Sequence, residues 1–145
     1  MHVPSDIRRH AARANLYQGP KGPWLEHLVE DEGLSLEDAS KVLHEWEAIP
    51  YHDPVQGHMA TLMKRNREVH FAAYRRFRGK AGMTPERIRA FLQPILDKEV
   101  FLVTKIDNPA DARMIEHLGF QKLSVAQGGI QCYILNEIKY PRRKQ

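Results

Sequence analysis

The chain has 145 residues, 42% of them apolar and 28% charged, with a net charge of +4, which suits one ordinary globular domain rather than two. Cys132 is the only cysteine, excluding an internal disulfide and a zinc site built on several thiolates. No apolar run is long enough to cross a membrane and "MHVPSDIRRHAARA" lacks the apolar block of a secretory signal, so a cytoplasmic protein without membrane insertion is expected.

Residues 1–56 read as a helical N-terminal segment. Ser5 can cap "DIRRHAARANLY", and Pro23 takes the first position of "PWLEHLVEDEG" with Gly33 past its end. Ser35 and Asp38 resemble an acidic capping box at the head of "SLEDASKVLHEWEAI". In that helix Leu36, Ala39, Leu43 and Trp46 fall three and four apart and are expected to form a buried stripe. Pro50 ends it, and "IPYHDPVQG" reads as turn.

From Gly57 the pattern changes to a core spanning 57–136 in the order β-β-α-β-α-β-β, followed by a basic tail over 137–145. "GHMATLM" and "EVHFAAYR" read as a hairpin about the polar turn "KRNR". After the basic stretch "RRFRGKAG", Thr84 and Pro85 open a helix with Ile88, Phe91, Leu92, Ile95 and Leu96 on one face. Pro94 lies inside it and is expected to bend or fray its last turn. "VFLVTKI" reads as a strand buried on both faces. "NPADARMIEHLGF" is a helix marked by Asn108 at one end and Gly119 at the other, and "QKLSV" and "IQCYILNEI" pair about a Gly-Gly turn. The class is α/β, a mixed sheet with flanking helices.

The basic stretch is the chemically suggestive segment. A strand, a glycine-containing turn and a helix start leave unpaired backbone N–H groups at the positive end of a helix dipole, a place suited to phosphate. Arg76, Arg78 and Lys80 add charge, while Gly79 and Gly82 lack a Cβ and let a ligand approach the backbone. Read alone, the same segment is equally a surface turn with solvated side chains.

"RRFRGKA", "FLVTKIDNPADARMIEHLGF" and "GGIQCYIL", in this order from Gly57 to Leu135, resemble the C-terminal half of the GNAT superfamily of acyl-CoA N-acyltransferases. The resemblance implies a GNAT-like mixed sheet and a loop R/Q-x-x-G-x-G/A that holds the coenzyme A pyrophosphate. Arg76, Gly79 and Ala81 satisfy that pattern. It further implies main-chain amides around Arg78 to Gly82 on the pyrophosphate, Asn108 near the pantetheine arm, acetyl-CoA as donor and an amine as acceptor. Three departures stand out. Aligning "FRGKAGM" with the family's "YRGKGIG" puts Ala81 and Met83 at glycine positions, and Ile115 stands where many members carry a proton-donating Tyr. The family's first strand is also not evident in the N-terminal segment.

Acyl transfer to an amine needs a base for the ammonium proton. Glu68 and His70 lie on one face of the strand before the loop, and His70 has the better unperturbed pKa for the task. The plainer reading is structural, with Glu68 solvent-facing at the start of the strand and His70 a hydrogen-bonded histidine between apolar neighbours. Tyr74 and Tyr133 are possible replacement acids that also read as packed aromatics, and Cys132 reads as a small buried residue. The chain also resembles compact phage-type members, among them the internal-core virion protein of short-tailed phages. That version implies a catalytically silent component of a particle, with other virion proteins and DNA as partners. A free nucleic-acid-binding regulator has the charge but no recognisable reading element.

Overall fold

The computed structural model describes residues 16–78 and 82–141, leaving out the side chains of 124–127. The chain forms two compact units, Met1–Met63 with Phe71–Gly82 and Lys64–His70 with Met83–Gln145.

In the first unit, helix α1 (Gly22–Glu26) opens with Pro23 in its first turn and runs directly into a π-helical turn, His27–Asp31. Gly33 follows at φ 77°, past the end of this helical stretch as its position in the sequence suggests. Helix α2 (Leu36–Leu43) is capped by Ser35, whose hydroxyl accepts from Asp38 N at 3.1 Å. It stops six residues earlier than the sequence pattern suggests. Lys21 Nζ donates to the Leu43 carbonyl at 2.8 Å and so caps that end. Of the expected stripe Ala39 and Leu43 are buried, but Leu36 is 38% exposed and Trp46 lies half-buried beyond the helix.

The segment read as helix end and turn is instead strand β1 (Glu47–Asp53). The proline that argued against regular structure is compatible with β1 because β1 is an edge strand, with a ladder on one side only. Asp53 closes the turn that follows, its Oδ2 accepting from Val55 N and Gln56 N at 2.9 Å each. Strand β2 (Gly57–Arg65) buries five consecutive residues, Met59 to Met63. The polar member, Thr61, donates its hydroxyl to the Pro20 carbonyl at 2.5 Å, while its own carbonyl accepts from Trp24 Nε1 at 3.0 Å. The expected hairpin leads into β3 (Glu68–Ala73), with Asn66 at φ 57° in the turn.

In the second unit helix α3 (Pro85–Glu99) is capped by Thr84, which accepts from Arg87 N at 3.3 Å. The expected fraying at Pro94 does not occur: the helix continues to Glu99, and Val100, at φ 74°, closes it by donating to the Leu96 carbonyl. A proline this near the C-terminus removes a single ladder bond, and packing of the last turn outweighs that loss. Ile88, Leu92 and Leu96 are buried. Buried Arg89 donates Nε to the Lys139 carbonyl at 2.8 Å.

Strand β4 (Leu102–Ile106) buries Leu102 and Thr104 but exposes Lys105, so it alternates rather than being buried on both faces. Asn108 caps α4 (Pro109–Leu118) by accepting from Ala110 N at 2.8 Å, and Gly119 ends it at φ 119°. A Cβ on Gly119 would lie 2.5 Å from the Glu137 carbonyl oxygen, so geometry and space both require glycine. Strands β5 (Gln121–Gln127) and β6 (Ile130–Leu135) pair antiparallel through the Gly128-Gly129 turn, with an irregularity between Lys122 and Ala126. The six strands form one mixed sheet in the order β1-β2-β3-β4-β6-β5. β3 runs parallel to β4 at Glu68↔Val103, and β4 runs antiparallel to β6 from Leu102↔Leu135 to Ile106↔Gln131.

Candidate functional site

β3 ends at Ala73, Tyr74 N donates back to the Met59 carbonyl, and Arg75–Phe77 make one turn of 3-10 helix. This turn and the residue after it send Arg75, Arg76 and Arg78 to different surroundings. Arg75 is fixed to Asp31 of the π-helical turn, Nη2 at 2.5 Å and Nε at 3.1 Å from Oδ1, and its backbone N donates to Glu26 Oε1 at 2.6 Å. Arg78 reaches the other oxygen of the same carboxylate, Nη2 to Oδ2 at 3.0 Å, and its Nε donates to the Ala73 carbonyl at 3.3 Å. His27 Nδ1 completes the set at 2.7 Å from Oδ2. Burial raises the Asp31 pKa, but hydrogen bonds from Arg75, His27 and Arg78 outweigh it and hold the carboxyl well below the usual range.

Arg76 is placed differently. Its guanidinium carbon lies 4.9 Å from the Tyr74 ring centroid and 4.8 Å from that of Phe77. Among the described residues it makes no hydrogen bond and no ion pair, so its N–H groups remain available. Gly82 is buried, and a Cβ there would run into the Phe77 carbonyl; the chain folds back on the 3-10 turn as only glycine permits. Gly79, Lys80 and Ala81 lie outside the described residues.

Tyr74 is not a free acid. Its hydroxyl donates to the Tyr17 carbonyl, in space left by the missing side chain of Gly22. Burial pushes its pKa up, the Arg76 charge works against this, and Glu26 adds to the rise. Beside it, His58 Nε2 lies 2.9 Å from the Ala60 carbonyl and 2.7 Å from Thr61 Oγ1. A carbonyl only accepts, so the proton sits on Nε2 and Nδ1 of the neutral ring carries the lone pair. Burial lowers the His58 pKa; the Ala60 bond opposes, while His52 and Arg76 add to the fall.

In the second unit Glu68 and His70 are brought together as their strand spacing implies, His70 Nε2 at 2.7 Å from Glu68 Oε2. Lys105 Nζ lies 3.7 Å from the other Glu68 oxygen. Burial raises the Glu68 pKa, but the bond and charge of His70, with Lys105 and Arg65, bring the net shift downward. Asn108 is exposed and spends its side-chain oxygen on the α4 cap. Ile115 has no proton to give. Buried Tyr133 directs its hydroxyl to Glu116 Oε1 at 3.3 Å; burial and then the Glu116 charge raise its pKa. Cys132 is half-buried with a free thiol.

Sequence reasoning missed Asp31 and His58. Asp31 lies in an acidic run and 44 residues from Arg75, so no local spacing links them. The one signal was its position four residues after His27. Among the described residues no group of three or more His, Cys, Asp and Glu is placed to hold a metal ion, and no helix is long and apolar enough to cross a membrane.

No protein-family model matches the sequence, and no curated protein matches it at a significant level. Solved structures do match. The ribosomal-protein-alanine N-acetyltransferase from Brucella melitensis superposes with a TM-score of 0.53 at 12% identity, over 96% of this chain and 98% of that one. A structure described as a phosphinothricin N-acetyltransferase gives 0.52 at 15% identity, over 78% and 87%. The chain has a GNAT-like fold. At these identities the GNAT likeness is one of fold, and activity has to be argued from the site. The particle-component reading gains no support from these GNAT neighbours.

Proposed function

We propose that this GNAT-fold chain is an acetyl-CoA-dependent N-acyltransferase acting on an amine, with residues 76–82 holding the coenzyme A pyrophosphate. The observation that carries the reading is Arg76. It stands first in the R-x-x-G-x-A pattern, is backed by two aromatic rings, and has no hydrogen bond or ion pair among the described residues. A guanidinium held in this way offers forked N–H donors to a phosphate with little further ordering. Gly82, where a Cβ would meet the Phe77 carbonyl, agrees with the glycine the pattern places near that end of the loop. The residues therefore suit the donor.

Acetyl-CoA supplies the acyl group as a thioester. The acceptor ammonium must lose a proton before its nitrogen can attack, and His70 takes the role of base. Glu68 accepts a hydrogen bond from Nε2–H, orients the ring and steadies the imidazolium that forms when Nδ1 takes the ammonium proton. Asn108, with its oxygen committed to the cap, contributes through its amide nitrogen. Ile115 leaves the acid role unfilled at that position, so the departing thiolate takes its proton from another group or from water.

Calorimetric titration of acetyl-CoA tests the reading. Micromolar affinity, about 8 kcal/mol, lost in Arg76→Glu, is expected. No heat at millimolar ligand in protein that still unfolds cooperatively overturns it. Turnover with a panel of amines follows, in which His70→Ala should lower the rate and leave donor affinity unchanged.

A further inference from the structure

The three arginines of the loop entrance carry the same charge but differ in how firmly each is held. Arg75 makes two bonds to Asp31 through its side chain and one to Glu26 through its backbone. Arg78 has a single contact with the carboxylate and a long bond to the Ala73 carbonyl. Its side chain is 42% exposed, whereas that of Asp31 is 22% exposed. If Arg78 moved away, Asp31 would keep Arg75 and His27 and would not be left as an uncompensated charge.

We propose that the Asp31 carboxylate is an exchangeable counter-ion for Arg78, holding that guanidinium while the loop is empty and yielding it to a phosphate of the acyl donor. The inference rests on the donor reading of the loop. A single contact from a guanidinium that is 42% exposed is weak, and a phosphate offers Arg78 a forked partner that one shared carboxylate oxygen does not. The exchange is therefore favourable but not free. Asp31 lowers donor affinity by competing for Arg78 and, through Arg75, keeps the loop entrance in place. Its position on a π-helical turn, a form frequent at functional positions, agrees with such a role.

The test is calorimetric titration of coenzyme A into the wild type, Asp31→Asn, Arg78→Gln, the double variant and Arg76→Glu. Asp31→Asn should bind about twofold to fivefold more tightly, the range expected for removing one competing carboxylate from a partly exposed ion pair. That gain should vanish in the Arg78→Gln background. An Asp31→Asn protein no tighter than wild type, or a gain that survives without Arg78, overturns this proposal. If Arg76→Glu still abolishes binding in that case, the donor reading stands. Absence of heat from every folded variant removes both. Should Asp31→Asn fail to fold, the wild type carries the test: saturation with coenzyme A must shift the Arg78 Nε–Hε resonance more than that of Arg75, and no shift at Arg78 overturns the exchange.

Discussion

At the scale of single residues, environment rather than identity separates the functional candidates. Arg75, Arg76 and Arg78 are chemically identical, yet two are tied to one carboxylate and one is stacked with its donors uncommitted among the described residues. Sequence selected Arg76 and Arg78 from the loop pattern but had no means of seeing that Asp31 would claim one of them. His58 shows the same limit, since its fixed tautomer depends on a carbonyl and a hydroxyl presented by the folded strand. Its pKa is lowered from 6.5. The unfolded chain therefore binds a proton that the folded ring refuses, so the stabilisation is full above about pH 6.5 and is lost as pH falls through the folded pKa. Urea unfolding at pH 7.5 and 5.5 should show His58→Gln losing less stability on acidification than the wild type. The difference in slope is at most about 1.4 kcal/mol per pH unit, and equal slopes would refute the assignment.

At the scale of elements, ends were easier to read than extents. Ser35, Thr84, Asn108 and Gly119 act as the caps their types and neighbours suggest, because a cap is a bond between groups two or three residues apart. Thr84→Ala should cost about 1 kcal/mol, measured by denaturant titration. Gly119→Ala should cost more, about 2–4 kcal/mol, because it adds a strained φ to a backbone collision; a loss below 1 kcal/mol would mean that the turn relaxes freely. The interiors misled where long-range pairing decided them. β1 contains Pro50 and no clean alternation, and it is a strand because β2 offers it a ladder at the edge of the sheet.

At the scale of the whole molecule, a ligand that binds only the folded chain must stabilise it. Coenzyme A at one hundred times its dissociation constant should add about 2.7 kcal/mol, and for a chain of this length that raises Tm by roughly 5–10 °C. Differential scanning calorimetry with Arg76→Glu as control checks this, and a rise retained in that variant would place binding elsewhere. Leu102→Ala, at a fully buried strand position, should destabilise by about 2–5 kcal/mol. The sequence by itself determined the α/β class, the hairpin, the caps and the phosphate-suited pattern of the loop, all of which follow from groups close together along the chain. Tertiary structure alone decided that β1 is a strand, that β4 alternates, that Asp31 balances Arg75 and Arg78, and that Arg76 is the arginine of the three held by ring faces. Each of these depends on a partner brought near by folding, and charge, hydrogen bonding and packing act over distances in space that sequence separation does not record.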